Sequence, residues 1–208
     1  MSSNKSKTTS KNSKIFHKTE KNEAIERPAS SKPKESDSAK TSEVKISAPK
    51  ELNLKEMIGI IFDSPDIPDK CFSIIDETTR VSAFLRHRDT NYLDCLEKQS
   101  MDPERLRIAV ISAIRYGKVL IFDLIDSSDL IDYVERSLNE VNPNLFKELC
   151  DFSILKNERY LDYVEEKDGE DFKSFYFTDL NIRNFRVIFL STKLNDNFLK
   201  LGKSFIIS

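Results

Sequence analysis

The 208-residue chain (24.1 kDa) is long enough for one domain of ordinary size, and its formal net charge is only −2. The charge is uneven, because residues 1–50 carry a net +6 and residues 51–208 a net −8. An acidic body argues against a nucleic-acid-binding domain, whose folded surface would carry a basic patch.

No apolar run approaches about 18 residues and no secretory signal is recognisable, so we expect neither a membrane span nor export. Cys71, Cys95 and Cys150 are odd in number and widely spaced, and only two histidines, His17 and His87, accompany them. These residues form no metal-binding pattern. The sequence therefore predicts an intracellular, cytoplasmic protein with reduced cysteines and no metal.

Residues 1–50 predict a disordered tail. They contain 11 Ser and 11 Lys and few apolar side chains, so they cannot bury enough surface to offset chain entropy. We interpret the tail as a solvated tether. The alternative is a phosphoregulated tail, or one attracted to microtubules or membranes, because several serines lie near lysines. The folded domain is then expected over residues 51–208.

The first part of this domain mixes short helical and extended patterns. Apolar residues at helical intervals predict an amphipathic helix over residues 52–62, stopped by Ser64 and Pro65. Residues 71–75 and 81–85 are short apolar runs and predict two strands. Residues 90–98 predict a helix with apolar side chains along one face.

The clearest helix is predicted over residues 103–116. Asp102 stands at its N-cap, Pro103 lies in its first turn, and Gly117 follows its end. The next run, residues 119–122, is entirely apolar, which is typical of a strand buried on both faces of a parallel sheet.

The last part of the chain predicts two more helices and a final buried strand. Ser127 or Ser128 is expected to cap a helix that ends near residue 140, and a shorter helix is expected from Asn142 and Pro143 to residue 150. A strand is predicted over residues 185–190, and residues 198–207 are left unassigned. Runs at residues 160–164 and 172–177 flank Asp168 and Gly169, which is a hairpin signal.

This order of elements predicts an α/β fold with a parallel sheet, flanking helices and a β-hairpin insertion. The acidic run at residues 165–171 is then a solvated hairpin tip. It lacks the ligand spacing of an EF-hand.

Two strand ends carry the candidate chemistry. Four apolar residues followed by Asp123 match a Walker B strand, whose aspartate holds Mg²⁺, but the next residue is Leu124 rather than a catalytic glutamate. Thr192 ends the last predicted strand, where a sensor residue would hydrogen-bond the γ-phosphate. The plainer alternatives are a structural or capping aspartate and a turn-forming threonine.

A phosphate-binding loop is not recognisable. The chain has only four glycines, and its single Gly-Lys-Ser sequence begins at Gly202. Asn197 stands where the first glycine of such a loop belongs, and no helix can follow so close to residue 208. We therefore reject Gly202-Lys203-Ser204 as a phosphate loop.

Three stretches carry a family resemblance: NYLDCL at residues 91–96, LRIAVISAIRYGKVLIFD at residues 106–123, and FRVIFLSTKL at residues 185–194. Residues 81–194 resemble part of the dynein heavy-chain motor, within its degenerate fifth AAA+ unit. In dyneins a similar helix ends in glycine before a Walker-B-like strand, and the sensor strand ends in a Thr-Thr-Lys-Leu-like sequence followed by asparagine, which Asn195 fits. A similar segment occurs in proteins with IQ motifs and ankyrin repeats, whose C-terminal part this chain resembles most.

The resemblance implies a partial sheet of the AAA+ type, that is, of the P-loop NTPase kind. Residues 81–85 would be its second strand, 119–122 its third and 187–190 its fourth, with too little chain after residue 194 for a fifth strand and a helical lid. Asp123 and Thr192 would be vestigial Walker B and sensor positions, with no catalytic residue and at most residual Mg-ATP binding.

The expected function is a non-catalytic structural or protein-interaction module rather than an enzyme. Its expected partners are proteins, in a cytoskeletal or ciliary assembly by resemblance. The alternative is an ATP-binding module that a partner chain completes, or a truncated fragment of a dynein-related ATPase.

Overall fold

The computed structural model describes residues 48–63, 71–127, 129–194, 196–199, 201 and 203–208. Residues 1–47, which make up most of the predicted tail, lie outside this range, as do Ser64 and Pro65. The first described strand begins at Lys50, one residue before the predicted start of the domain at residue 51.

Six strands form one sheet in the order β1-β6-β2-β5-β4-β3, and every neighbouring pair is parallel. The strands are β1 (Lys50–Leu52), β2 (Cys71–Ile75), β3 (Asn91–Asp94), β4 (Val119–Asp123), β5 (Arg186–Ser191) and β6 (Lys203–Ile207). All residues of β2, β4 and β5 are buried, as expected for strands covered on both faces. The predicted α/β fold with a parallel sheet is confirmed.

Helices cover both faces of the sheet. They are α1 (Leu54–Ile58), α2 (Arg80–Arg86), α3 (Pro103–Tyr116), α4 (Leu130–Val141), α5 (Leu145–Cys150), α6 (Asp179–Asn184) and α7 (Asp196–Leu199). One apolar cluster packs α1 and α2 on one face through Met57 and Leu85. The other cluster packs α3 and α4 on the opposite face through Val110 and Leu138. None of the described helices is long and apolar enough to cross a membrane.

Helix α3 has the predicted bounds. The side chain of Asp102 accepts hydrogen bonds from the backbone N–H groups of Glu104 and Arg105, which are free at a helix start. Gly117 ends the helix with a φ of +66°. A Cβ atom at this position would lie 2.9 Å from the Cα and carbonyl oxygen of Asn181, so close packing also requires glycine here.

Two short elements were assigned to the wrong type. Residues 81–85, predicted as a strand, lie in helix α2, where Val81 and Leu85 are four positions apart and both buried. Residues 90–98, predicted as a helix, contain strand β3, which pairs with β4. Short apolar runs fit either period, and pairing with a neighbouring strand decides between them. The position that the resemblance gave to residues 81–85 in the sheet is therefore also wrong.

The predicted β-hairpin is wrong as well. Residues 153–176 form a series of 3-10 turns between α5 and α6, named here the 3-10 segment. Tyr160 and Tyr163 are both buried and lie three positions apart, which is the period of a 3-10 helix rather than of a strand. Gly169 has φ +83° and ψ −174°, which does not match the type I′ turn of a two-residue hairpin.

Three further elements differ from prediction in their bounds, their caps or their assignment. The helix predicted over residues 52–62 is shorter, because Leu52 belongs to β1 and a π-helical turn (Gly59–Asp63) follows α1. Helix α4 begins after Asp129, so Ser127 does not cap it, and Ser128 lies outside the described residues. Strand β6 pairs with both β1 and β2, so the expectation that too little chain follows residue 194 for another strand is wrong.

Candidate functional site

A crevice of about 340 Å³ lies at the carboxyl ends of β2, β4 and β5. Helix α2, which follows β2, packs on one face of the sheet, whereas Phe198 of α7, which follows β5, packs on the other. The chain thus leaves two adjacent strands toward opposite faces. Open α/β sheets bind ligands in the crevice at such a topological switch point. Asp123 and Thr192 both lie on its wall.

Asp76 occupies the turn between β2 and α2. Its side chain is almost fully buried, and one carboxylate oxygen accepts hydrogen bonds from the backbone N–H (3.0 Å) and the hydroxyl (2.5 Å) of Thr78. The other oxygen accepts a hydrogen bond from the backbone N–H of Val81 over 2.6 Å. A phosphate loop directs such N–H groups toward its ligand. Here they donate to a carboxylate of the chain itself.

Asp123 is the last residue of β4, and its side chain is only 5% exposed. Oδ2 accepts hydrogen bonds from Nη2 of Arg86 over 3.1 Å and from the hydroxyl of Tyr92. Oδ1 accepts a hydrogen bond from the backbone N–H of Ile125 over 3.0 Å. Both oxygens are therefore engaged by protein donors.

Arg86 and Tyr92 also contact each other. Nε of Arg86 donates to the Tyr92 hydroxyl over 3.1 Å, and the guanidinium lies 4.8 Å from the ring centroid. Burial, reinforced by the hydrogen bond to Asp123 and its negative charge, raises the pKa of Tyr92. The hydrogen bond to Tyr92 is the largest cause that raises the pKa of Arg86. The tyrosine thus stays protonated and the arginine stays charged, so a cation of the protein already neutralises Asp123.

Thr192 follows β5, and its hydrogen bonds join the loop after β5 to the loop after β4. Its backbone N–H and its hydroxyl both donate to the carbonyl oxygen of Ile125, over 2.6 and 3.1 Å. The Ser191 hydroxyl donates to the same oxygen over 3.2 Å. Ile125 has a φ of +54°, a region that β-branched residues rarely adopt and that the surrounding contacts must hold. The hydroxyl proton of Thr192 is therefore bonded within the protein.

The structure brings Asp123 and Thr192 to one crevice, because β4 and β5 are neighbouring strands. Sequence reasoning missed the groups that engage them. Asp76 also follows a buried strand, so the rule that singled out Asp123 could have found it. Arg86 matches no motif in the sequence, and Tyr92 lies in the run that was predicted as a helix.

Other sequence candidates lie in structural positions. Lys203 and Ser204 begin strand β6, where the hydroxyl groups of Ser204 and Ser73 are 2.7 Å apart, so these residues do not form a phosphate loop. Among the described residues, no group of three or more His, Cys, Asp and Glu side chains is placed to hold a metal ion.

Comparison with known proteins does not assign a family, because no family model matches the chain and no solved structure matches it significantly.

Proposed function

We propose that the chain is a non-catalytic structural or protein-interaction module, derived from a dynein-like AAA+ unit, that works without ATP. One observation carries this proposal. Nucleotide binding would need the side chains of Asp123 and Thr192. Both already form hydrogen bonds with other groups of the protein. We further propose that its partners are cytoplasmic proteins of a cytoskeletal or ciliary assembly. Only the sequence resemblance supports this part of the proposal.

Electrostatics favours this function over nucleotide binding. A Mg²⁺ ion at Asp123 would have to displace Arg86, and each hydrogen bond lost from a buried group costs about 1–3 kcal/mol. Because the side chain of Arg86 is 48% exposed, the ion pair itself adds less than a buried pair would. A phosphate at the start of α2 would also meet the Asp76 carboxylate, and like charges at close range repel. With seven residues, α2 is in addition too short to offer a strong helix dipole.

The second candidate is an ATP-binding module that a partner chain completes. The crevice favours it, because about 340 Å³ is within the range of ligand pockets and the walls include Asp123 and Thr192. Binding would then require Arg86 to swing away from Asp123.

Isothermal titration calorimetry on the full-length chain separates the two candidates. The non-catalytic module predicts no heat of binding up to millimolar ATP or ADP with Mg²⁺. The alternative predicts micromolar binding that Asp123→Ala abolishes. Asp126→Ala is the matched control, because its exposed carboxylate lies near the same loop and pairs only with Lys193, at 3.4 Å, among the described residues.

A further inference from the structure

The 3-10 segment and the start of helix α6 carry a high density of acidic side chains. Residues 158–180 contain eight acidic and three basic side chains, which gives this short stretch most of the net −8 of residues 51–208. Asp168 pairs with Arg107, and Glu170 pairs with Lys173. By contrast, five carboxylates of this stretch make no ion pair with any described residue: Glu158, Asp162, Glu166, Asp171 and Asp179.

Exposed apolar side chains occur in the same stretch of the chain. Phe175 and Leu180 are each 68% exposed, and the ring of Phe175 lies 4.3 Å from that of Tyr176. The guanidinium of Arg115 lies 4.7 Å from the centroid of the Tyr176 ring and 4.9 Å from that of a further ring, Tyr116. We name this set the acidic–aromatic surface; it comprises Tyr116, Glu166, Asp171, Phe175, Tyr176, Asp179 and Leu180.

Hydrogen bonds from Arg107, Arg115 and Asn181 hold this surface in place. The guanidinium of Arg107 donates to both carboxylate oxygens of Asp168 and to the carbonyl oxygen of Tyr163, each over 2.7 Å. Nε of Arg115 donates to the carbonyl oxygen of Asp171 over 2.9 Å, and the Asn181 side chain donates to the carbonyl oxygen of Arg115 over 2.8 Å. A surface that is already ordered loses little conformational entropy when a partner binds.

We propose that the acidic–aromatic surface binds a basic amphipathic segment of a protein partner. Lysine or arginine side chains of that segment face the carboxylates of Glu166, Asp171 and Asp179, and an aromatic or leucine side chain packs between Phe175 and Leu180. Tyrosine and arginine are the residue types that most often dominate binding energy at interfaces, and opposite charge speeds association. Nucleic acids and anionic lipids are polyanions, which the same carboxylates repel.

This inference rests on the proposed function, because it assigns the partner class of that protein-interaction module. The site lies on α3, the 3-10 segment and α6, and none of its residues lines the crevice at the carboxyl ends of the strands. Nucleotide binding and partner binding can therefore be tested separately.

The full-length chain contains no tryptophan, so a single tryptophan in a peptide reports docking without background. The probe is a short synthetic helical peptide of lysine and leucine with one tryptophan. We expect a blue shift of its emission, saturating at micromolar protein and weakened by salt because the charges are exposed. A matched peptide with glutamate in place of every lysine should not bind.

Two variants locate the binding. Phe175→Ser/Leu180→Ser and Glu166→Gln/Asp171→Asn/Asp179→Asn should each raise the dissociation constant at least about tenfold, the effect of losing one substantial contact. Leu96→Ser is the control, because Leu96 is an apolar side chain 61% exposed in the turn after β3. Thermal unfolding by circular dichroism verifies that each variant is folded.

Three results would overturn the proposal: no binding of the basic peptide, equal binding of the glutamate peptide, or equal loss with Leu96→Ser. Binding to anionic lipid vesicles in place of the peptide would also overturn it. If the peptide fails while Mg-ATP also gives no heat, the surface assignment is wrong and the non-catalytic function stands. If Mg-ATP binds, the proposed function is wrong whatever the peptide does.

Discussion

Replacing Arg107 with methionine tests how the 3-10 segment is attached to helix α3. The Arg107 residue is 5% exposed, and the Asp168 side chain with which it pairs is 1% exposed. Removing the arginine leaves a buried carboxylate without its cation, and breaking a buried pair in this way costs about 3–5 kcal/mol. Glu104 and Glu165, the other carboxylates that pair with Arg107, are each about half exposed and contribute little. We expect the free energy of unfolding to fall by about 3 kcal/mol.

Urea unfolding of the full-length chain measures this loss. The matched control is Arg105→Met, which changes an exposed arginine of the same helix and should stay within about 0.5 kcal/mol of wild type. The double variant Arg107→Met/Asp168→Leu removes both charges and should recover part of the stability. A loss below about 1 kcal/mol for Arg107→Met, or no recovery in the double variant, would show that the Arg107–Asp168 pair does not hold the 3-10 segment on helix α3.

Acid titration gives a second test of the same contact. Hydrogen bonds from Arg107 lower the pKa of Asp168, and they lower the pKa of Glu104 to about 2. A carboxyl group with a lowered pKa stabilises the fold above its unfolded pKa of about 4, and this contribution is lost as the pH falls through the folded pKa. Wild type should therefore lose more stability than Arg107→Met between about pH 5 and pH 2. Parallel curves would contradict this assignment.

Three further predictions concern individual side chains. Gly117→Ala should destabilise the fold by about 1–3 kcal/mol in thermal or urea unfolding, because φ is positive and the new Cβ would meet Asn181; an unchanged midpoint would contradict it. The phenol of Tyr92 has a raised pKa because of burial and Asp123, so its ultraviolet titration should follow unfolding, and stability should fall as the pH rises above about 10; reversible ionisation of every tyrosine in the folded protein would refute this. Iodoacetamide should alkylate the half-buried Cys150 before the two buried cysteines, whose thiol pKa values are raised, and equal rates by mass spectrometry would argue against the described packing.

The sequence was most informative where the type of an element depends on residues that are close to it in the sequence. Helix α3 was predictable because Asp102 and Gly117 are local signals, and strand β4 because four consecutive apolar residues are themselves typical of a buried strand. Helix α2 and strand β3 were not, because each is short and its type depends on packing against distant elements. The prediction of a hairpin failed because an Asp-Gly pair indicates a hairpin turn only when the flanking side chains alternate between buried and exposed with a period of two. Here Tyr160 and Tyr163 are both buried and lie three positions apart.

The site shows the same limit. Strand ends are visible in a sequence, so Asp123 and Thr192 could be singled out. The arginine that neutralises Asp123 lies 37 positions away, and no local pattern connects the two residues. The contact of Thr192 with Ile125 likewise depends on the positive φ of Ile125, which the sequence does not predict.

If Arg86 and the Asp76 carboxylate occupy the places where Mg²⁺ and phosphate would bind, the chain cannot bind Mg-ATP. Calorimetric titration of the wild-type chain with Mg-ATP measures this. We expect no heat of binding up to millimolar nucleotide. Micromolar binding that Asp123→Ala abolishes and Asp126→Ala leaves intact would contradict this expectation, because Asp123 would then be free to hold the metal.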